Sequence, residues 1–164
     1  MAKKKEEKTN VMRILDQKKI PYTANFYEGE DPSNTSTYGV HVAEALGREP
    51  ERVLKTLVAR SASGAIYVFE VPVAENLDLK KAARSVGEKN VELLPVKEIT
   101  AVTGYIRGGC SPVGMKKGYP TVLHETVQLY DTVHISGGKI GVDVELSPRD
   151  LLELIRGTAA DIIV

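Results

Sequence analysis

The chain has 164 residues, 42% of them hydrophobic, with 22 Lys and Arg against 22 Asp and Glu and a single cysteine. That length suits one domain with a real core, and the balanced charge excludes tight coating of a polyanion, so any contact with nucleic acid must be local, transient and salt-sensitive. A lone cysteine excludes an internal disulfide and fits a reducing compartment, the cytoplasm by default; with no apolar run approaching about 18 residues, neither export nor membrane insertion is expected.

In chain order, residues 2–9 carry charge without apolar anchors and read as a flexible tail ahead of a domain spanning 10–164. Asn10 is placed to cap a short helix whose apolar positions Val11, Met12, Ile14 and Leu15 share a face, ending before Ile20 and Pro21. Residues 22–27 read as a strand, residues 28–37 are turn formers throughout, and Val40, Ala43 and Leu46 give helical spacing that stops at Gly47. Residues 52–60 and 65–72 pair naturally as a hairpin across the turn at 61–64.

A helix over 77–86, closed by Gly87, carries Lys80, Lys81 and Arg84 on one side. A short strand at 91–94 and a short helix at 95–102 follow, and strands at 121–124, 132–135 and 141–146 dominate the second half. Ser147 caps a last helix with Pro148 at its first position and Asp150 in capping-box register, and Gly157 ends it. About seven short strands with four or five helices, several strands joined by hairpins, predict a mixed α/β (α+β) single domain, not a doubly wound parallel sheet. The expected sheet is curved and largely antiparallel, or a partial barrel, with helices around it.

Two glycine loops stand out. Gly104, Gly108, Gly109 and Gly114 surround Cys110, Ser111 and Pro112, and residues 136–141 form Ser-Gly-Gly-Lys-Ile-Gly ahead of the strand bearing Asp143 and Glu145. Glycines permit positive φ and close backbone approach, and successive N–H groups in such a loop can form an oxyanion nest. A tight strand connection is the plain alternative for one loop; two of them with hydroxyls, lysines and a carboxylate suggest one pocket. Neither precedes a helix, which argues against a dinucleotide fingerprint or a P-loop.

A lysine within an apolar strand is either an edge residue or a pocket cation, and Lys55 is such a lysine. Asp143 and Glu145 alternate with valines, the pattern of residues facing outward. Cys110 has no His at a spacing that would make it a nucleophile, and reads as a small packed residue. His41, His124 and His134 lack zinc-site spacing, and no serine sits in a nucleophile elbow, so metal binding and serine-hydrolase chemistry are not expected. The lysine and arginine groups at Lys80, Lys81, Arg84 and at Lys116, Lys117 read as solvated faces unless a nucleic-acid substrate is implicated.

On the residues Gly108 to Gly114, Ser136 to Lys139 and Asp143 to Leu146, together with Phe26–Tyr27–Glu28, Val53 to Leu57, Leu77 to Lys81 and Thr103–Gly104–Tyr105, the sequence resembles the YbaK/ProX family of trans-editing aminoacyl-tRNA deacylases, relatives of the prolyl-tRNA synthetase editing domain. The resemblance runs from about Val11 to Ile163. It implies that Lys55 is an essential pocket lysine, that Gly108 and Pro112 belong to a glycine-x-x-x-proline loop, and that Tyr27, Thr56, Ser136, Gly137 and Asp143 bind substrate. N–H groups from Gly109, Cys110 and Ser111 would hold the oxyanion, and Lys80, Lys81, Arg84, Lys116 and Lys117 would meet RNA. No cofactor or metal is implied; tRNA with a charged 3′ end is the implied substrate, prolyl-tRNA synthetase an implied partner, and neither DNA nor membrane is.

The cysteinyl-tRNA(Pro) branch is the nearest in resemblance, with an alanyl-tRNA(Pro) deacylase and a module that holds the acceptor end without cleaving it as alternatives. Attack by water and attack by the substrate's own thiol both stay open. Cys110 and Ile140 depart from the family pattern, the first at the amino-acid pocket and the second where an arginine usually follows the lysine.

Overall fold

The computed structural model describes residues 8–28 and 38–164, so the charged stretch 1–7 and most of the turn-rich segment, 29–37, lie outside the described residues. Helix α1 (Asn10–Gln17) buries Val11, Met12 and Leu15. Its cap is Thr9, not Asn10: the Thr9 hydroxyl accepts from the Met12 N–H at 3.3 Å, and Lys8 pairs with Asp16, so the last two residues of the expected tail belong to the helix start.

Two sheets form. In the first, β7 (Val142–Leu146) lies between β1 (Tyr22–Phe26) and β6 (Val133–Ser136), antiparallel to both. The second runs β4–β2–β3–β5–β8, from β4 (Val91–Leu93), β2 (Leu54–Ser61) and β3 (Ile66–Pro72) to β5 (Thr121–His124) and β8 (Thr158–Ala160). The first two pairings of that sheet are antiparallel and the last two parallel, which bears out the mixed, largely antiparallel expectation. The hairpin at 61–64 forms as read. Strand β8 was not legible, being three residues of Thr and Ala without an apolar run.

Alternation divides the second sheet. Leu57, Ala59, Phe69, Val71 and Val122 pack with Ala82 and Ala83 of α3 (Leu79–Ser85), whose N-cap Asp78 accepts from Lys80 and Lys81 N–H. From the other side Leu54 and Leu123 join α1, the inner face of the first sheet (Val133, Ile135, Val142, Val144, Leu146) and Leu151 of α5 (Pro148–Ile155) in the larger core. Full burial of each such aliphatic side chain stabilises the fold by roughly 1.5–3 kcal/mol. Helix α2 (Tyr38–Leu46) covers a small cluster of Ala43, Val53 and Val73, and α4 (Ile99–Thr103) leads into the first glycine loop. Among the described residues no helix is long and apolar enough to cross a membrane.

Helix α5 starts as its sequence directs, the Ser147 hydroxyl accepting from Asp150 N–H at 3.3 Å with Pro148 in the first turn. It ends differently. The left-handed residue is Arg156 (φ 51°), not Gly157, whose N–H reaches back to Leu152 O at 2.9 Å. A side chain in that region is unfavourable by roughly 1–2 kcal/mol relative to the right-handed form. Replacing Ser147 by Ala should therefore cost about 1 kcal/mol, while Arg156→Gly should stabilise by up to about 1 kcal/mol after glycine's entropy is deducted. Urea midpoints at unchanged slope measure both; a destabilised Arg156→Gly contradicts the reading of this helix end.

Candidate active site

The two sheets touch through a parallel bridge between Val53 and His134. Along the same strand, pairing with β4 begins only at Ala59, opposite Leu93, with Leu94 N–H on Val58 O at 2.9 Å. Between these points residues 54–57 have no strand partner on that edge among the described residues. A cavity of about 350 Å³ occupies the gap, lined by every residue from Val53 to Val58. Leu93, Leu94, Val96 and Ile99 give it an apolar wall; Tyr27, Lys55, Thr56, Arg107, Ser136 and Asp143 supply its polar side chains.

Lys55 is half-buried, and burial lowers its pKa, with Glu75 acting the other way. A lysine so placed gains from an anion that enters the cavity. Thr56 stands on the opposite face of β2 and donates to Glu70 Oε1 at 3.0 Å. Glu70 is completely buried in β3, its Oε2 has no partner among the described residues, and burial holds its carboxyl well above the usual range. Sequence reasoning passed over it, because one glutamate in an apolar strand resembles an outward-facing residue until the partner sheet is in place.

Asp143 and Ser136 are register partners at the cavity end of β7 and β6. The outward alternation of Asp143 and Glu145 holds only locally: both lie on the sheet face away from the valine core, yet Asp143 is 3% exposed. Its Oδ2 accepts from Asn25 Nδ2 at 3.1 Å and meets His134 Nδ1 at 2.7 Å. Behind His134, Glu145 is held by Thr132 at 2.6 Å and Arg52 at 3.2 Å, and its pKa is lowered first by the Thr132 hydrogen bond.

The first glycine loop is fixed at both ends. Thr103 Oγ1 donates to Ile99 O at 2.8 Å and accepts from Tyr105 N–H at 3.0 Å, and the Tyr105 hydroxyl donates to Val113 O. Gly108 takes φ 86° and lines the cavity with Cys110. The two loops meet, since a Cβ on Gly109 would stand 3.2 Å from Lys139 Cα and from Ile140 N. Gly109 donates its N–H to Ile106 O at 3.0 Å, so it does not offer a donor to an oxyanion; the N–H groups of Cys110 and Ser111 find no acceptor among the described residues.

Several expected positions lie outside the cavity lining. Ser111 is buried beneath the loop, its hydroxyl accepting from Val113 N–H at 3.3 Å. Pro112 faces a second cleft with Tyr119 and Arg156. Gly137 packs against Val142, where a Cβ would come within 2.5 Å of Cγ1. Of the basic groups, Lys80, Arg84, Lys116 and Lys117 are exposed, Lys116 Nζ also donating to Ala101 O at 3.1 Å, whereas Lys81 Nζ is tied to Asp161 and to Ile163 O, each at 2.9 Å. Lys81 thus clamps the C-terminal segment and is not part of an open basic face.

No histidine lines the cavity, and burial pushes the Cys110 thiol up to about 12, leaving it protonated and unreactive at neutral pH. Among the described residues no group of three or more His, Cys, Asp or Glu is placed to share a metal ion. Among the described residues that line the cavity, no side chains form a nucleophile–base pair.

A family model for the aminoacyl-tRNA editing domain matches residues 33–154. A chain of Enterococcus faecalis carrying the name of a Cys-tRNA(Pro)/Cys-tRNA(Cys) deacylase is 46% identical over 164 residues, 99% of this chain and 98% of that one. Among solved structures, one described as a trans-editing enzyme for prolyl-tRNA synthetase is similar at TM-score 0.76 and 26% identity, over 95% of this chain and 98% of that one. Another, described only as a hypothetical protein, shares the fold at TM-score 0.84 and 24% identity, over 95% and 100%.

Glu70 gives this region a measurable signature. Its carboxyl is held up in the folded state, so the fold is favoured most at pH below the unfolded carboxyl pKa and loses that contribution as pH rises toward the folded value. Glu70→Gln, which keeps an acceptor for Thr56, should be more stable than the parent at pH 8 and lose that advantage at pH 4. Thermal melts across that range check it; identical curves for both chains contradict a buried protonated carboxyl.

Proposed function

This chain belongs to the aminoacyl-tRNA editing domain family, and from that premise we propose that it hydrolyses the ester between a small amino acid, cysteine foremost, and the 3′ adenosine of a mischarged tRNA(Pro). The observation that carries the reading is the cavity at the open edge of β2, small and largely apolar, with two cations, Lys55 and Arg107, and one carboxylate, Asp143, among its described lining residues. A volume of about 350 Å³ stands at the low end for ligand pockets. An aminoacyl ester presents an α-ammonium, for which Asp143 is the matching acceptor, and a nearby phosphate, for which Lys55 is the matching cation.

Since the described lining residues offer no nucleophile–base pair, attack comes from water or from the substrate. With a cysteinyl ester the thiol attacks its own carbonyl: the S–C bond forms, the C–O bond to the 3′ oxygen breaks, and the thiol proton passes to that oxygen, leaving a thiolactone and free tRNA. On either route the N–H of Cys110, which lines the cavity and finds no acceptor for that N–H among the described residues, holds the oxyanion, a contribution whose loss typically costs roughly a hundred- to a thousandfold, while Ser111, buried beneath the loop, supports it from behind. Tyr27, Thr56 and Ser136 line the remainder of the amino-acid site, Gly108 lets the loop approach it, and Pro112 and Gly137 support the two loops from behind.

Phosphate contact falls to Lys80, Arg84, Lys116 and Lys117, with Lys81 contributing only if its bonds to Asp161 and Ile163 open. So few cations on a neutral chain give weak, salt-sensitive RNA binding, and association with prolyl-tRNA synthetase would supply tRNA identity; equal selectivity for tRNA(Pro) by the isolated chain would count against that partner.

Incubation of cysteinyl-tRNA(Pro) with the pure protein should release free tRNA, with or without chelator. Lys55→Ala should lose at least about a hundredfold of that rate while keeping its melting temperature, and Cys110→Ser should keep most of it. Seryl-tRNA, isosteric but without the thiol, separates the routes: rapid seryl release removes substrate-thiol attack. Saturable binding of the charged tRNA with no release above the buffer rate would overturn the deacylase reading.

A further inference from the structure

We propose that His134 is a positioning residue of this site, holding Asp143 by one carboxylate oxygen so that the other meets the substrate's α-ammonium; the substrate half of this rests on the deacylase reading above. On the face of the first sheet turned from the valine core, Asn25, Asp143 and Ser136 form one cross-strand row and Thr23, Glu145 and His134 the next. Both side-chain donors that reach Asp143, Asn25 Nδ2 at 3.1 Å and His134 Nδ1 at 2.7 Å, converge on Oδ2. Oδ1 has no donor among the described residues, and Asp143 is the one carboxylate among the described residues that line the cavity.

His134 itself is fully buried and does not line the cavity. Its Nε2 has no hydrogen-bond partner among the described residues and lies 3.8 Å from Glu145 Oε2, on the far side of the ring from Asp143. The imidazole therefore makes one hydrogen bond and leaves one polar atom buried and unmatched, an arrangement whose cost an apolar side chain would avoid. That geometry also rules out His134 as a base toward substrate, because Nδ1 is occupied and Nε2 points to Glu145. What remains for it is to donate Nδ1–H to Asp143. Glu145, fixed by Thr132 and Arg52, closes the space behind the ring.

The test compares His134→Asn, whose amide can reproduce the Nδ1 donor, with His134→Phe, which fills the volume without it. Each is assayed on cysteinyl-tRNA and on N-acetylcysteinyl-tRNA, which lacks the α-ammonium, and melting temperatures accompany both. His134→Phe should lose about tenfold or more in kcat/KM, through KM, on the free-amino substrate alone, and His134→Asn should recover most of it. Equal losses on both substrates at unchanged melting temperature, or no loss on either, overturn the proposal. Imidazole nitrogen NMR of the unmodified chain should show the proton on Nδ1; a proton on Nε2 overturns the His134–Asp143 contact whatever the activity. Should the parent protein cleave neither ester, the deacylase reading fails, and the position of that proton still decides the contact.

Discussion

The site depends on an interruption in strand pairing. Among the described residues, the strand edge is joined to the first sheet at Val53, just before β2, and to β4 from Ala59 onward, and the unpaired edge between them is where the cavity forms. A strand edge left open inside a protein presents N–H and C=O groups that need partners, so the gap favours a polar occupant even though much of its wall is aliphatic. The glycine loop closes one side through Gly108 and Cys110, and β6 and β7 close the other through Ser136 and Asp143.

Much of this layout is readable along the chain. Periodicity places the hairpin, the capped last helix and the strands of the second half, and the two glycine loops do converge, with Gly109 against the Lys139–Ile140 backbone. What periodicity cannot reach is pairing across strands. Glu70 meets Thr56 across 14 positions and His134 meets Asp143 across nine, and each looks like an unremarkable polar residue until its register is known. The same limit hid the tie between Lys81 and Asp161, which removes a cation from a face that helical spacing alone presents as basic. Ends of elements were misplaced by one residue where two neighbours could both serve, Thr9 beside Asn10 and Arg156 beside Gly157.

Among the described residues two fully buried titratable side chains, Glu70 and His134, each keep a polar atom without a partner. Both stand one contact behind a cavity residue, Glu70 behind Thr56 and His134 behind Asp143. Unmatched buried polar atoms typically destabilise by roughly 1–3 kcal/mol each, and their placement behind the same cavity indicates a fold that gives up stability to orient its lining. Cys110 contrasts with them, since burial silences its thiol and leaves its backbone N–H as the group of interest.

The central claim, that the aminoacyl end of tRNA enters at the open edge of β2, is tested most directly by titrating the protein with an amide-linked 3′-cysteinylamino-3′-deoxyadenosine, which cannot be hydrolysed, and following backbone amide shifts. Saturating shifts centred on Lys55, Thr56, Gly108, Cys110, Ser136 and Asp143 are predicted. Binding whose shifts fall instead around Pro112, Tyr119 and Arg156, at the second cleft, would contradict it.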